Sequence, residues 1–276
     1  MNILRFIVYS NLFIAGCAVL MVYQTCLLWH IPPDSYLLLF IFSATVCSYS
    51  FHWYLSRPSV LSSPRIEWQH RYHSLHLVLF LAGLAGSLFF SWYLLPYWPW
   101  LVLVAVITFL YSAPKIPHPW CRAMRKVAIG KTIFLAMVWT FVTTVLPVIV
   151  SETVWHTDTI LFVISRFFFI YAICILFDYR DREDDKLNGI RSLITWLDEK
   201  GIRYLFFFSI AVSVALSIVL LFYQHSRMEI VILLTPVIIT ASLFEHARRN
   251  FSDMLYYFVL DGLMALSALL MLMTRI

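Results

Sequence analysis

The sequence has little charge and little glycine for its length. Only 13% of its 276 residues are Asp, Glu, Lys or Arg and only seven are glycine, whereas 62% are hydrophobic. This scarcity of charge excludes an ordinary water-soluble domain. The apolar residues form long runs of Leu, Ile, Val and Phe, which favour transmembrane helices over the alternating ten-residue segments of a β-barrel. The composition therefore predicts an all-α, polytopic membrane protein in the lipid bilayer, with one domain over residues 1–276.

Cysteine motifs are also missing. None of the five cysteines forms a Cys-x-x-Cys pair, and four of the five lie in apolar runs. Their positions imply neither a disulfide framework nor a cysteine metal site.

Nine stretches are predicted as membrane spans, because a span needs about 20 mostly apolar residues. The loops after the second, fourth, sixth and eighth spans carry Lys and Arg, whereas the intervening loops are short or acidic. By the positive-inside rule, this alternation predicts a cytoplasmic (inner) membrane location with a cytoplasmic N-terminus and an external C-terminus. The basic net charge thus reflects topology and implies no nucleic acid. The predicted spans are Leu4–Leu28, Tyr36–Leu55, Leu75–Leu95, Trp98–Tyr111, Ala128–Val150, Ile160–Phe177, Tyr204–Tyr223, Ile230–Phe244 and Leu255–Met273.

The acidic residues are concentrated directly after the sixth span. Residues 178–189 contain five of the fifteen carboxylates of the chain. If the helix continues into this stretch, Asp178, Asp181 and Asp185 share one face. Three like charges on one face repel unless a cation lies between them, and Mg²⁺ prefers such hard oxygen ligands. The alternative is a solvated charged loop in which neighbouring Arg and Lys side chains neutralise the acids.

A basic stretch follows the fourth span. Tyr111 and Lys115 stand four residues apart at its end, although Pro114 makes an exact helical spacing uncertain. Arg122 and Arg125 add positive charge nearby. Taken alone, these cations are a topology signal, but they are predicted to lie on the same side of the membrane as the acidic stretch.

The acidic pattern resembles a known motif. Asp-x-x-Asp-x-Glu-x-Asp-Lys-x-x-Gly, beginning at Asp178, and the following Ile190-Arg191-Ser192-Leu193 resemble the second aspartate-rich motif of the UbiA superfamily of intramembrane prenyltransferases. Tyr111 and Lys115 resemble its Tyr-x-x-x-Lys element. The resemblance implies a helical fold of about nine spans. It also implies Mg²⁺-dependent transfer of a prenyl group from a prenyl diphosphate to a hydrophobic or aromatic acceptor.

The resemblance also implies roles for individual residues. Asp178, Asp181 and Asp185 would bind Mg²⁺, and Asp178, Asp181 and Lys115 would be catalytic. The remaining implied roles are in binding the diphosphate substrate, and they fall on Tyr111, Lys115, Arg122, Arg125, Lys186 and Arg191.

The first aspartate-rich motif of that superfamily, Asn-x-x-x-Asp-x-x-x-Asp, has no counterpart here. If Ser50 occupies the Asn position, the two Asp positions fall on Tyr54 and Pro58, and no carboxylate occurs between Asp34 and Glu67. Three alternatives stay open. Glu67 or His52 could substitute with a single Mg²⁺, the protein could bind an isoprenoid or lipid phosphate without turnover, or the chemistry could have changed.

Two charged residues, Arg166 and Asp261, fall inside the predicted sixth and ninth spans. Charges within a membrane are costly and by default mark a functional or paired site. Their predicted depths differ, so a direct pair between them is not expected. Asp261 either faces a substrate cavity or forms hydrogen bonds between helices.

Overall fold

The computed structural model describes residues 2–56, 63–112, 131–187 and 192–274, and every regular element in these ranges is helical. Short 3₁₀ turns occur at Trp92–Tyr97 and Leu220–Tyr223, and π-helical turns occur at Phe141–Val145 and Leu255–Leu260. The α-helices are α1 (Ile3–Tyr9), α2 (Leu12–Leu28), α3 (Ser35–Tyr54), α4 (Pro64–Arg71), α5 (His73–Ser91), α6 (Trp98–Ser112), α7 (Lys131–Thr140), α8 (Leu146–Val150), α9 (Thr157–Arg180), α10 (Arg182–Leu187), α11 (Leu193–Trp196), α12 (Glu199–Val219), α13 (Arg227–Arg249) and α14 (Asp261–Thr274).

Seven helical segments of the described chain are long and apolar enough to cross a membrane, or eight if the bent pair α1–α2 counts as one more. One of the seven, His73–Phe109, is 37 residues long and covers the predicted third span and most of the predicted fourth. Because a single span needs about 20 residues, this segment is nearly long enough for two. The prediction of an all-helical membrane protein is confirmed, and the described chain has seven or eight candidate spans where the sequence predicts about nine.

The predicted first span is not a straight helix. Its two parts, α1 and α2, meet at an angle of 72°. Asn11 stands between them with a left-handed backbone (φ 66°), a conformation that Asn tolerates better than most residues. The side chain of Asn11 is fully buried, and its partners on other helices are described below. The bend is therefore fixed by tertiary contacts, which hydropathy alone does not reveal.

Polar side chains cap several of the helices, as their sequence positions favour. Asp34 accepts a hydrogen bond from the backbone N–H of Leu37 at 2.8 Å, at the start of α3. Ser226 and Glu229 form a reciprocal capping box at the start of α13. Such caps satisfy backbone N–H groups that would otherwise lack partners at the membrane edge.

Helix α9 is the most buried of the candidate spans, with 61% of its most apolar window inside the protein. It packs against α7 and α12, while α2 packs against α3 and α14. Its last turn carries Asp178 and Arg180, both of which are buried. The helix therefore brings the start of the acidic stretch into a packed environment.

Candidate functional site

Asp178 lies in the last turn of α9 with only 6% of its surface exposed. The hydroxyl of Thr132, near the start of α7, donates a hydrogen bond to its Oδ2 atom. Thr132 is itself buried. A buried carboxylate that is held by a neighbouring hydroxyl has a fixed orientation, which is a property of metal-binding and catalytic carboxylates.

The helix does not run straight through the acidic stretch. It ends at Arg180, and Asp181 follows as the capping residue, with its N–H donating to the carbonyl of Phe177 at 3.0 Å. The short helix α10 then begins, and the N–H of Asp185 donates to the carbonyl of Asp181 at 2.9 Å. Asp178 and Asp181 thus belong to the end of one helix, whereas Asp185, which is 5% exposed, is positioned by the next one.

The other residues with predicted substrate roles are placed as follows. Lys186 forms an exposed ion pair with Glu183, at 2.7 Å between Nζ and Oε1. The hydrogen bond from Lys186 lowers the pKa of the Glu183 carboxyl below its usual value. Tyr111 belongs to the last turn of α6. The remaining predictions fall outside the described residues, on Lys115, Arg122, Arg125 and Arg191.

Within the described ranges, no three His, Cys, Asp or Glu side chains are grouped closely enough to hold a metal ion by themselves. A Mg²⁺ site does not require a closed cage of protein ligands. Mg²⁺ commonly takes one or two carboxylates and completes its shell with water and substrate phosphates. Asp178 and Asp181 have the oxygen chemistry for such an open site.

A buried ionic network adjoins this site. Asp253, which precedes the final span, accepts a hydrogen bond from Arg180 Nη2 at 2.6 Å with its Oδ1 atom. Its Oδ2 atom accepts from the backbone N–H of Arg65 at 2.9 Å. All three residues are at least 93% buried. We call them the Arg65–Asp253–Arg180 network, and it ties the end of α9 to the start of α4.

The side chain of Arg65 extends this network into an aromatic cluster. Its guanidinium lies over the rings of Tyr257 and Trp53, at 3.7 and 4.3 Å from their centroids, and donates to Asn11 Oδ1 at 2.9 Å. Burial lowers the pKa of Arg65, while Tyr257 and the carboxylates of Asp261 and Asp253 act in the opposite direction. Such stacking stabilises a desolvated guanidinium.

The aromatic cluster reaches the acidic site through Phe177. Its ring lies 5.6 Å from that of Tyr257, and the next residue in the chain is Asp178. The cluster therefore packs behind the helix turn that presents the acidic residues.

Comparison with models of protein families identifies the family of the chain. The model of the UbiA prenyltransferase family matches residues 61–254, which is 194 of the 276 residues. The chain belongs to the UbiA prenyltransferase family. No curated protein and no solved structure matches it. The UbiA match begins just before α4 and ends just after Asp253, so it includes the acidic stretch and the Arg65–Asp253–Arg180 network.

At the positions of the missing first UbiA motif, the described residues contact other helices. Ser50, at the position expected for Asn, is fully buried and accepts a hydrogen bond from Asn11 Nδ2 at 3.3 Å. Tyr54 stacks on His73 with 4.3 Å between ring centroids. Glu67 is exposed on α4. The two described positions of this motif therefore serve in packing between helices.

Sequence reasoning did not identify Thr132, Asp253 or Arg65 as members of the site region. Arg65 and Asp253 are 188 residues apart, so no local pattern could pair them. One signal was present, because Asp253 is a lone carboxylate between the basic end of α13 and the final span. A carboxylate at such a position is expected to pair with a cationic side chain.

Proposed function

We propose that this UbiA-family protein transfers a prenyl group from a prenyl diphosphate to a hydrophobic or aromatic acceptor in a Mg²⁺-dependent reaction. The observation that carries the proposal is the buried carboxylate of Asp178, oriented by Thr132 at the end of the most buried apolar helix. The family match supports membrane prenyl transfer in general. The metal and the substrates are our inference from the residues.

In this proposal Asp178 and Asp181 hold Mg²⁺, with Asp185 nearby on α10. When bound, Mg²⁺ would stabilise the negative charge that develops on the diphosphate as the carbon–oxygen bond breaks. Lys115, with Arg122 or Arg125, would supply cationic donors to the same leaving group, and Tyr111 is assigned to its orientation. The apolar walls of the bundle would bury the isoprenoid tail and exclude water from the allylic cation.

The sidedness of the site is part of the proposal. The basic loops after predicted spans two, four, six and eight support a cytoplasmic location for the acidic stretch. A soluble diphosphate headgroup would then reach Asp178 from the cytoplasm while its tail lies in the membrane.

A second candidate function is binding or carriage of an isoprenoid or lipid phosphate without turnover. The absence of any carboxylate between Asp34 and Glu67 favours it, because those positions would normally supply half of the acidic groups. A carrier and an enzyme share the binding step and differ only in bond cleavage.

The two functions can be separated with the purified protein in detergent. Thermal stabilisation by a prenyl thiodiphosphate, which resists cleavage, is measured with Mg²⁺ or with EDTA. Release of diphosphate from the ordinary prenyl diphosphate is measured in parallel. The site variant is Asp178→Asn, and Asp184→Asn is the matched control within the same acidic stretch.

We expect Mg²⁺-dependent stabilisation in the wild-type protein and in Asp184→Asn, with a loss in Asp178→Asn. Diphosphate release that follows the same pattern supports the enzyme, whereas stabilisation without release when acceptors are supplied supports the carrier. Equal stabilisation of wild-type protein and Asp178→Asn would show that the site is assigned to the wrong residues.

A further inference from the structure

A small polar cavity lies inside the helix bundle, away from the acidic site. It is lined by side chains of α2, α9, α12, α13 and α14, and its volume is about 20 Å³. A space of this size holds about one water molecule or one group that is slightly larger. Apolar side chains such as Phe162 form part of its wall, and its polar lining consists of Gln24, Ser165, Arg166, Ser213, Ser217 and Ser267.

The charge at this cavity comes from Arg166, which is 95% buried in the interior of α9. Its Nη1 atom donates to the hydroxyl of Thr25 at 2.8 Å and to the carbonyl of Met21 at 3.0 Å. Further bonds join Nη1 to the hydroxyl of Thr144 and Nη2 to Oε1 of Gln24. None of its hydrogen-bond partners in the described part of the chain is a carboxylate, so its positive charge is solvated by neutral groups alone.

A buried guanidinium in a membrane is costly without an anion. Neutral acceptors satisfy its N–H groups but do not cancel its charge, and low-polarity surroundings make that charge expensive. The ring of Phe162 lies 4.4 Å from the guanidinium carbon and adds a cation–π contact. These contacts position the guanidinium at the cavity wall but do not neutralise its positive charge.

The rest of the lining is rich in hydrogen-bond donors. Gln24 is 99% buried, and its Nε2 atom has no hydrogen-bond partner among the described residues. The hydroxyls of Ser165 and Ser217 lie 2.8 Å apart, and that of Ser165 is also 3.0 Å from the carbonyl of Ser213. Serine hydroxyls can rotate to donate, and none of the described residues that line the cavity is acidic. An occupant that accepts hydrogen bonds and carries negative charge matches this wall.

We propose that this cavity binds one small monovalent anion of halide size, which neutralises Arg166 inside the membrane. The small volume favours an ion of halide size over a phosphate or a carboxylate with a carbon skeleton. Asp178 follows Arg166 by twelve residues, or about 18 Å of helix. The anion site is therefore separate from the proposed prenyl diphosphate site and does not depend on the proposed function.

The test compares chloride with gluconate, which is too large for the cavity, at constant ionic strength. Melting of the detergent-purified protein is followed as chloride replaces gluconate. Chloride at ten times its Kd would favour the folded state about elevenfold, which raises the melting temperature by about 3–6 °C. Bromide soaked into crystals of the wild-type protein provides a direct readout, because its anomalous signal locates the ion.

Two Gln→Glu substitutions, one at the cavity and one at an exposed position, provide a site variant and its matched control. Gln24→Glu places a carboxylate beside Arg166 and should replace the anion, so that melting no longer depends on chloride. Gln224→Glu makes the same change at an exposed position and should retain the dependence on chloride.

Saturable stabilisation by chloride in wild-type protein and in Gln224→Glu, with its loss in Gln24→Glu and a bromide peak beside Arg166, supports the proposal. Equal chloride dependence in Gln24→Glu would place the anion elsewhere and overturn it. Equal melting in chloride and gluconate, with no bromide peak, would show that the cavity holds only water. The bromide measurement uses wild-type protein, so it decides the question even if a variant fails to fold.

Discussion

Asp253→Ala should be among the most destabilising single substitutions outside the membrane spans. The carboxylate of Asp253 accepts from Arg180 and from the backbone of Arg65, and its side chain is only 3% exposed. Its removal leaves the Arg180 guanidinium buried without its carboxylate. The Nη1 atom of Arg180 already lacks a hydrogen-bond partner among the described residues, and stacking on the rings of Tyr256 and Tyr257 compensates for only part of the loss.

The size of the effect follows from the burial of the pair. Removing one partner of a buried ion pair typically costs about 3–5 kcal/mol, because the remaining charge is not solvated. For a chain of this size, each kcal/mol corresponds to about 2–4 °C, so we expect the melting temperature to fall by about 6–20 °C. Replacing both partners, as in Arg180→Met with Asp253→Leu, should recover part of this loss because the charge of Arg180 is then no longer buried.

The assay is thermal unfolding of the purified variants in one detergent. Glu183→Gln is the control, because it breaks the exposed ion pair with Lys186, and exposed pairs contribute little to stability. Asp253→Ala should melt far below Glu183→Gln, which should match wild-type protein. A melting temperature for Asp253→Ala within about 2 °C of wild type would refute the reasoning that the network stabilises the fold.

Two further predictions concern the site and the packing of helices. Thr132→Val removes the hydroxyl that orients Asp178, so the Mg²⁺ concentration for half-maximal stabilisation by a prenyl thiodiphosphate should rise about 10–100-fold. Thr132→Ser keeps a hydroxyl and should retain wild-type behaviour. An unchanged Mg²⁺ titration for Thr132→Val would contradict this prediction. Gly83→Ala should cost about 1–3 kcal/mol in thermal unfolding, because an added Cβ would lie 2.6 Å from the backbone nitrogen of Cys47 in α3. Gly16→Ala, where an added Cβ meets nothing within 4 Å, should instead be neutral or stabilise by up to about 1 kcal/mol, and equal effects at the two glycines would contradict the close approach of α3 and α5.

The class of fold could be predicted from the sequence because hydropathy dominates the physics of a membrane protein. Long apolar runs have few alternatives to helices in a bilayer, since every backbone polar group must be satisfied within the segment. The predicted sixth span, Ile160–Phe177, lies wholly within α9. The acidic stretch could also be recognised from the sequence, because five carboxylates lie close together in a chain with little charge.

The details that depend on tertiary contacts could not be predicted. The bend between α1 and α2 requires Asn11 to pair with Ser50 and Arg65, which are 39 and 54 residues away. The partners of Arg166 were also hidden, because they are mostly hydroxyls and carbonyls of other helices, and such groups carry no charge pattern in the sequence. Local periodicity specifies helices, whereas these polar contacts specify how the helices meet.

Product formation tests the central proposal most directly. The purified protein is incubated with a prenyl diphosphate and a total membrane lipid extract as the source of acceptors, and new prenylated species are detected by mass spectrometry. We predict a prenylated product and released diphosphate with Mg²⁺, and neither with EDTA nor with Asp178→Asn. A product of equal yield from Asp178→Asn, or no product and no diphosphate release from wild-type protein under any of these conditions, would contradict the account.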